Sequence, residues 1–149
     1  MTVAENPLYK DLVKQFGDAL HDAAFITEKP KQIISVSPKL DLALGGGVPE
    51  GSLFIMTGPE KIGKTVTALS FCANAQSQER FVYYGNIEGR LKKRDLEGIR
   101  ELQLGPEQFQ MVGSSEGNIL SGEDYLGIFD KVVHGHPKSV AVVDSFSAL

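Results

Sequence analysis

The 149-residue chain predicts an α/β fold, a mainly parallel sheet with helices on both faces, preceded by an N-terminal amphipathic helix. Two observations carry this expectation. Apolar runs of strand length, SLFIMT, FVYYGN and VAVVD, alternate with segments of helical character. Those runs are almost continuously apolar, which suits strands covered on both faces.

The elements follow in order. Leu8, Leu12, Phe16 and Leu20 recur every fourth residue, with Val13 beside them and Lys10, Asp11, Lys14 and Asp18 between. This is one apolar stripe at helical spacing. A polar hinge, TEKPK, and a short strand, IISVS, come next, so residues 1–32 read as a helix and linker preceding a domain at 33–149. LDLAL is a short helical piece, and GGGVPEG turns the chain into the strand SLFIMT, a glycine loop and a helix containing Cys72. FVYYGN is a second strand, followed by a helical segment bearing Leu91, Leu96, Ile99 and Leu102. After the turn LGPEQF, MVGSS reads as a third strand. Ser121 with Asp124 forms an N-cap pair that opens a helix through Tyr125, Phe129, Val132 and Val133, which Gly135 and Pro137 end. Val140–Val143 is the last strand and carries Asp144 at its end.

With 42% hydrophobic residues the chain has the bulk for one core. A net charge of −4 and an isoelectric point near 5.4 provide no global positive field, so any contact with nucleic acid must use a local patch. The single cysteine excludes an internal disulfide and fits a reducing cytoplasm, with Cys72 as a buried small hydrophobe. No stretch approaches the roughly 20 apolar residues of a membrane span, and the N-terminus lacks a signal-peptide core. A soluble, intracellular protein is expected.

The most specific feature is GPEKIGKT, which fits G-x-x-x-x-G-K-[ST] and lies between a strand and a helix. Gly58, Pro59, Glu60, Lys61, Ile62, Gly63, Lys64 and Thr65 form the loop, and Val66 continues into the helix. Glycines allow backbone N–H groups to turn inward around an anion, and the helix N-terminus adds its positive dipole end. Lys64 is placed to neutralise phosphates, and the Thr65 hydroxyl to ligate Mg²⁺. Asp144 then gains a role, since a second carboxylate at a strand end beside such a loop holds the magnesium ion. Glu88, just past FVYYGN, is either a surface carboxylate or the group that activates water.

Other features carry less. His134 and His136 lack the companions of a metal site and suit a helix terminus. The run Arg90, Lys92, Lys93 and Arg94 reads as the solvated start of a helix, interleaved with Asp95 and Glu97, with phosphate contact as its alternative. Tyr83 and Tyr84 read as core packing.

From about residue 33 onward the chain resembles the ATPase core of the RecA recombinase family. LDLALGGGVPEG, the Gly-Pro-Glu opening of the loop, Glu88 after the second strand and VVDSFSAL carry the resemblance. It implies a P-loop NTPase of RecA type that uses ATP and Mg²⁺, with Glu88 and Lys64 as catalytic residues and Thr65 and Asp144 at the metal. It also implies assembly into a filament or ring, and action on single-stranded DNA through the full protein in homologous recombination. The helix, hinge and strand at the N-terminus are similar in layout to the phage UvsX-type branch, whose N-terminal segment docks on a neighbouring protomer. That layout adds a phage-infected host to the bacterial cytoplasm as a setting. Two departures stand out: Asn86 replaces the family's usual Asp, and Lys92 and Asp95 replace its adenine-packing pair.

The resemblance further implies a later strand between SLFIMT and VAVVD, so the core is expected to be incomplete. The chain is then an N-terminal half, through truncation, a split gene or a second polypeptide that supplies the remainder. Two alternatives remain. One is another RecA-superfamily ATPase, KaiC-like, RadA-like or a hexameric helicase. The other is a non-catalytic nucleotide-binding module regulating a full-length recombinase.

Overall fold

The computed structural model describes residues 6–17 and 32–146, and its backbone divides into two compact units, Met1–Gln32 and Ile33–Leu149. In the first, α1 spans Pro7–Phe16. Asn6 caps it by accepting the Leu8 amide at 3.0 Å, and Pro7 enters the first turn, where no amide is needed. None of its residues is buried. Leu20 of the expected stripe and the hinge Thr27–Lys31 lie outside the described residues.

The second unit begins with β1 (Ile33–Ile34), α2 (Pro38–Leu44) and β2 (Val48–Pro49), and β1 pairs antiparallel with β2. Asp41 ties this corner together, accepting the Ser35 hydroxyl at 2.6 Å and the Val36 amide at 2.8 Å. These donors hold its carboxyl below the ordinary carboxylate pKa. Gly47 is required here: φ is +134°, and a Cβ would stand 2.4 Å from the Ile34 carbonyl oxygen.

α3 (Lys64–Gln76) precedes a parallel three-stranded sheet of order β4-β3-β5, in which β3 is Phe81–Asn86, β4 is Phe109–Val112 and β5 is Ser139–Asp144. The register pairs Tyr84 with Met111 and Val142, and Asn86 with Asp144. Side chains alternate across the sheet, so Val82 and Tyr84 face one side and Tyr83 and Gly85 the other. On the first side Ala68, Leu69 and Cys72 of α3 pack with Val82, Tyr84 and Phe109 to form the core. Burial pushes the Cys72 thiol pKa up to about 12, which keeps it an inert hydrophobe. On the second side lies α5 (Gly122–Gly135), opened by the Ser121–Asp124 capping box that the sequence announces. Ser121's donors hold the Asp124 carboxyl below its usual pKa. Phe129 of α5 approaches the sheet so closely that a Cβ at Gly85 would sit 2.8 Å from its ring.

Two tethers bind loops to this frame. The Gln76 side chain, at the end of α3, donates to the carbonyls of Gln103 and Gln108 and accepts the Gln103 amide. Arg80, buried, pairs with Glu50 at 3.3 Å.

Three expectations need correction. SLFIMT forms no strand: residues 52–57 join no ladder among the described residues, and Leu53 and Ile55 are 87% and 71% exposed. An apolar run becomes a strand only where a neighbour takes its backbone hydrogen bonds, and among the described residues β5 is paired on one side only, by β3. The third strand is Phe109–Val112 rather than MVGSS, because the Gly113-Ser114-Ser115 end leaves the ladder. The helix after Glu88 is one short turn and a half, α4 (Lys93–Glu97), and Gly98 follows its end.

Candidate functional site

The loop Gly58–Gly63 leads directly into α3, whose N-cap is Gly63 at φ +99°. That left-handed value favours glycine, and Lys61 also has positive φ, at 62°. The Lys64 ammonium reaches back over the loop and donates to the Gly58 and Pro59 carbonyls, both at 2.8 Å. One residue on, the Thr65 hydroxyl donates to Asp144 Oδ2 at 2.9 Å, joining positions 79 residues apart in sequence. The parallel pairing of β3 and β5 brings Asp144 to this end of the sheet.

Glu88 stands at the same edge. The Ile87 amide donates to the Asp144 carbonyl at 3.0 Å, extending the β3–β5 ladder to the threshold of Glu88. The carboxylate of Glu88 accepts the Ser145 hydroxyl at 2.5 Å and pairs with Arg90 at 3.2 Å. Thr65, Asp144, Ser145 and Glu88 therefore form one connected edge above β3 and β5. Glu60, Ile62 and Val66 are exposed along the loop and the first turn of α3, and Ile62 lines the turn against Gly58.

The oxygen set suits a hard divalent cation. A hydroxyl that donates its proton to Asp144 keeps its lone pairs for a metal, and Asp144 supplies a carboxylate beside it. Thr65 and Asp144 are the residues that could hold a magnesium ion through oxygen, and Lys64 the one that could balance the charge of a phosphate.

Tyr84 is the contact the sequence does not reveal. Its ring is fully buried against α3, yet its hydroxyl donates to the same Asp144 Oδ2 at 2.7 Å. Burial, followed by the adjoining carboxylate, raises the phenol's pKa above its ordinary value. Spacing carries no signal for it: Tyr84 lies two residues before Asn86, and only the register of Asn86 with Asp144 brings its hydroxyl to the carboxylate.

The remaining candidates separate from this edge. His136 Nδ1 meets the Tyr83 hydroxyl at 3.2 Å, while His134 Nδ1 meets the Asp130 carbonyl at 2.8 Å. The two imidazoles thus have different partners, and no group of three or more metal-ligating His, Cys, Asp or Glu residues occurs among the described residues. In the basic run, Lys93 pairs with Glu97 at 3.4 Å, and Asp95 accepts the Lys92 amide at 2.9 Å at the start of α4. No helix among the described residues is long and apolar enough to cross a membrane.

Residues 8–149 match the RecA N-terminal domain family. The chain belongs to this family. It is 33% identical over 141 residues to Protein RecA of Bifidobacterium longum, covering 91% of this chain and 33% of that protein. It is also 36% identical over 149 residues to the mitochondrial DNA repair protein recA homolog of Dictyostelium discoideum, covering 97% and 31%. Protein RecA of Thermus thermophilus is 33% identical over 150 residues, covering 97% and 41%. The chain thus spans about a third of the length of these curated relatives. The parallel three-stranded sheet with helices on both faces fits a RecA-type fold.

Proposed function

We propose that this RecA-family chain is the nucleotide-binding part of an ATP-dependent DNA recombinase, built as a P-loop NTPase core. The observation that carries the reading is the Thr65–Asp144 hydrogen bond of 2.9 Å, which joins the GKT loop to the strand-end acid. Residues Gly58–Val66 hold the phosphates, Lys64 balances their charge, and Thr65 and Asp144 hold Mg²⁺. A magnesium ion held by Thr65 and Asp144 would supply charge withdrawal from the phosphate oxygens. Glu88, at the same edge, accepts the proton of the attacking water once Arg90 and Ser145 release it. The names of the relatives, Protein RecA and a DNA repair protein recA homolog, support a recombinase over a ring-forming regulator or helicase, and the complete protein would act on single-stranded DNA.

The domain assignment follows the same reading. Residues 33–149 form the first part of the ATPase core, and residues 1–32 serve self-association into a filament or ring in the cytoplasm. Leu8, Val13 and Phe16 of α1 are exposed and so available to a neighbouring copy, while Leu12 is half-buried. Among the described residues the outer side of β5 is unpaired and residues 52–57 join no ladder, which supports a further strand between them, from more of the same protein or from a second chain. The phage-type assignment, with a phage-infected host as its setting, rests on the helix-first layout alone.

The test is nucleotide titration with Mg²⁺, together with turnover in the full-length protein. Lys64→Ala removes charge-assisted contacts and is expected to weaken ATP binding by about 10- to 100-fold. Glu88→Gln is expected to bind ATP like the parent and to lose hydrolysis. Unchanged binding in the first variant refutes the loop as a phosphate site; retained hydrolysis in the second removes Glu88 from the mechanism.

A further inference from the structure

We infer that Tyr84 is a positioning residue for Asp144, setting the carboxylate that faces the metal, an inference that rests on the nucleotide-site reading above. Three features of the structure bear on it. The first is reach. Tyr84 and Asp144 point to the same side of the sheet and are diagonal neighbours across β3 and β5, since Tyr84 pairs with Val142 and Asn86 with Asp144. Diagonal positions are about 7–8 Å apart, a span that an aromatic side chain covers.

The second is rigidity. The Tyr84 ring is fully buried, stacks with Phe109 at 6.0 Å between centroids and belongs to the cluster that includes Leu69, Cys72 and Val82. A hydroxyl carried on such a ring has one place to go. The bond to Asp144 therefore transmits the order of the core to a carboxylate at the sheet edge, where a side chain otherwise rotates.

The third is the division of labour between the two carboxylate oxygens. Oδ2 accepts from both Thr65 and Tyr84, which fills its two lone-pair sites. Oδ1 accepts no hydrogen bond among the described residues. Tyr84 thus assigns Oδ2 to the protein and leaves Oδ1 for the water shell of a cation. The sharing also orients Thr65, because its proton is committed to Oδ2 while its lone pairs stay available. An outer partner of this kind typically contributes roughly 10- to 100-fold to metal affinity.

Tyr84→Phe removes one oxygen and keeps the ring. Binding of a fluorescent ATP analogue would be followed against Mg²⁺ concentration, and again in EDTA, alongside thermal melting. The half-saturating Mg²⁺ concentration is expected to rise about tenfold or more, with metal-free nucleotide affinity unchanged. Thr65→Ala and Asp144→Asn serve as references, and Phe109→Leu loosens the same core without touching the carboxylate. If the two references shift the Mg²⁺ dependence and Tyr84→Phe does not, the positioning role is refuted and the nucleotide site stands. A shift in Phe109→Leu as large as that in Tyr84→Phe would reduce Tyr84 to ordinary packing. If the parent shows no Mg²⁺-dependent binding, or both references behave like the parent, the nucleotide site itself is wrong and the inference goes with it.

Discussion

Residues 81–86 and residues 52–57 are similar as text and different as structure. FVYYGN is β3, paired on both sides, with Val82 and Tyr84 fully buried. SLFIMT joins no ladder among the described residues, and although Met56 packs against the core, Leu53 and Ile55 are exposed. Both segments are apolar, both are six residues long, and both lead into a loop of the candidate site. The difference is partnership: β3 has Phe109–Val112 and Ser139–Asp144 to receive its amides and carbonyls, and residues 52–57 have no such neighbours. Strand propensity in one segment is a statement about what it can join, and the join decides the outcome.

Substitutions can break or sharpen this contrast. The largest effect is expected beneath β3, where Leu69 is fully buried against the sheet. Leu69→Ala should cost about 2–5 kcal/mol in denaturant unfolding, and a loss below about 1 kcal/mol would mean that this core is not the stabilising one. On the opposite face, Gly85→Ala places a methyl 2.8 Å from the Phe129 ring and 3.3 Å from the Val142 carbonyl oxygen. A loss of about 1–3 kcal/mol is expected, and it should shrink when Phe129→Leu is added, because the clash is with that ring. The smallest effect belongs to the unpaired segment. Leu53→Ser combined with Ile55→Thr should change the stability of this chain by less than about 0.5 kcal/mol. A large loss there would show that residues 52–57 are packed in solution after all.

Legibility in the sequence followed the range of the interactions. The Ser121–Asp124 cap was readable because its donors and acceptors lie three residues apart. FVYYGN and VAVVD were readable because both find a ladder partner, although only FVYYGN has buried residues, VAVVD being half-buried at the sheet edge. The helix after Glu88 was overread: Leu91, Leu96, Ile99 and Leu102 do pack against the core, but they do so from turns around a five-residue helix. At the candidate site, the loop from Gly58 to Thr65 and the strand-end Asp144 could be named from spacing, although their roles remain part of the proposal. Tyr84 and Ser145 could not. Their contacts to Asp144 and Glu88 cross 60 and 57 residues, and only the register of β3 against β5 brings them together.

The Gln76 tether has a consequence for motion. A single amide side chain at the end of α3 holds two carbonyls and one amide of the segment between α4 and β4. That segment has no ladder or helix of its own at Gln103, so local fluctuation alone would let its amide exchange with solvent quickly. With its proton held by Gln76, the Gln103 amide is expected to exchange when the end of α3 opens, the helix that also carries Lys64 and Thr65. Protection against exchange is thus expected to extend beyond the regular elements to Gln103, through one glutamine.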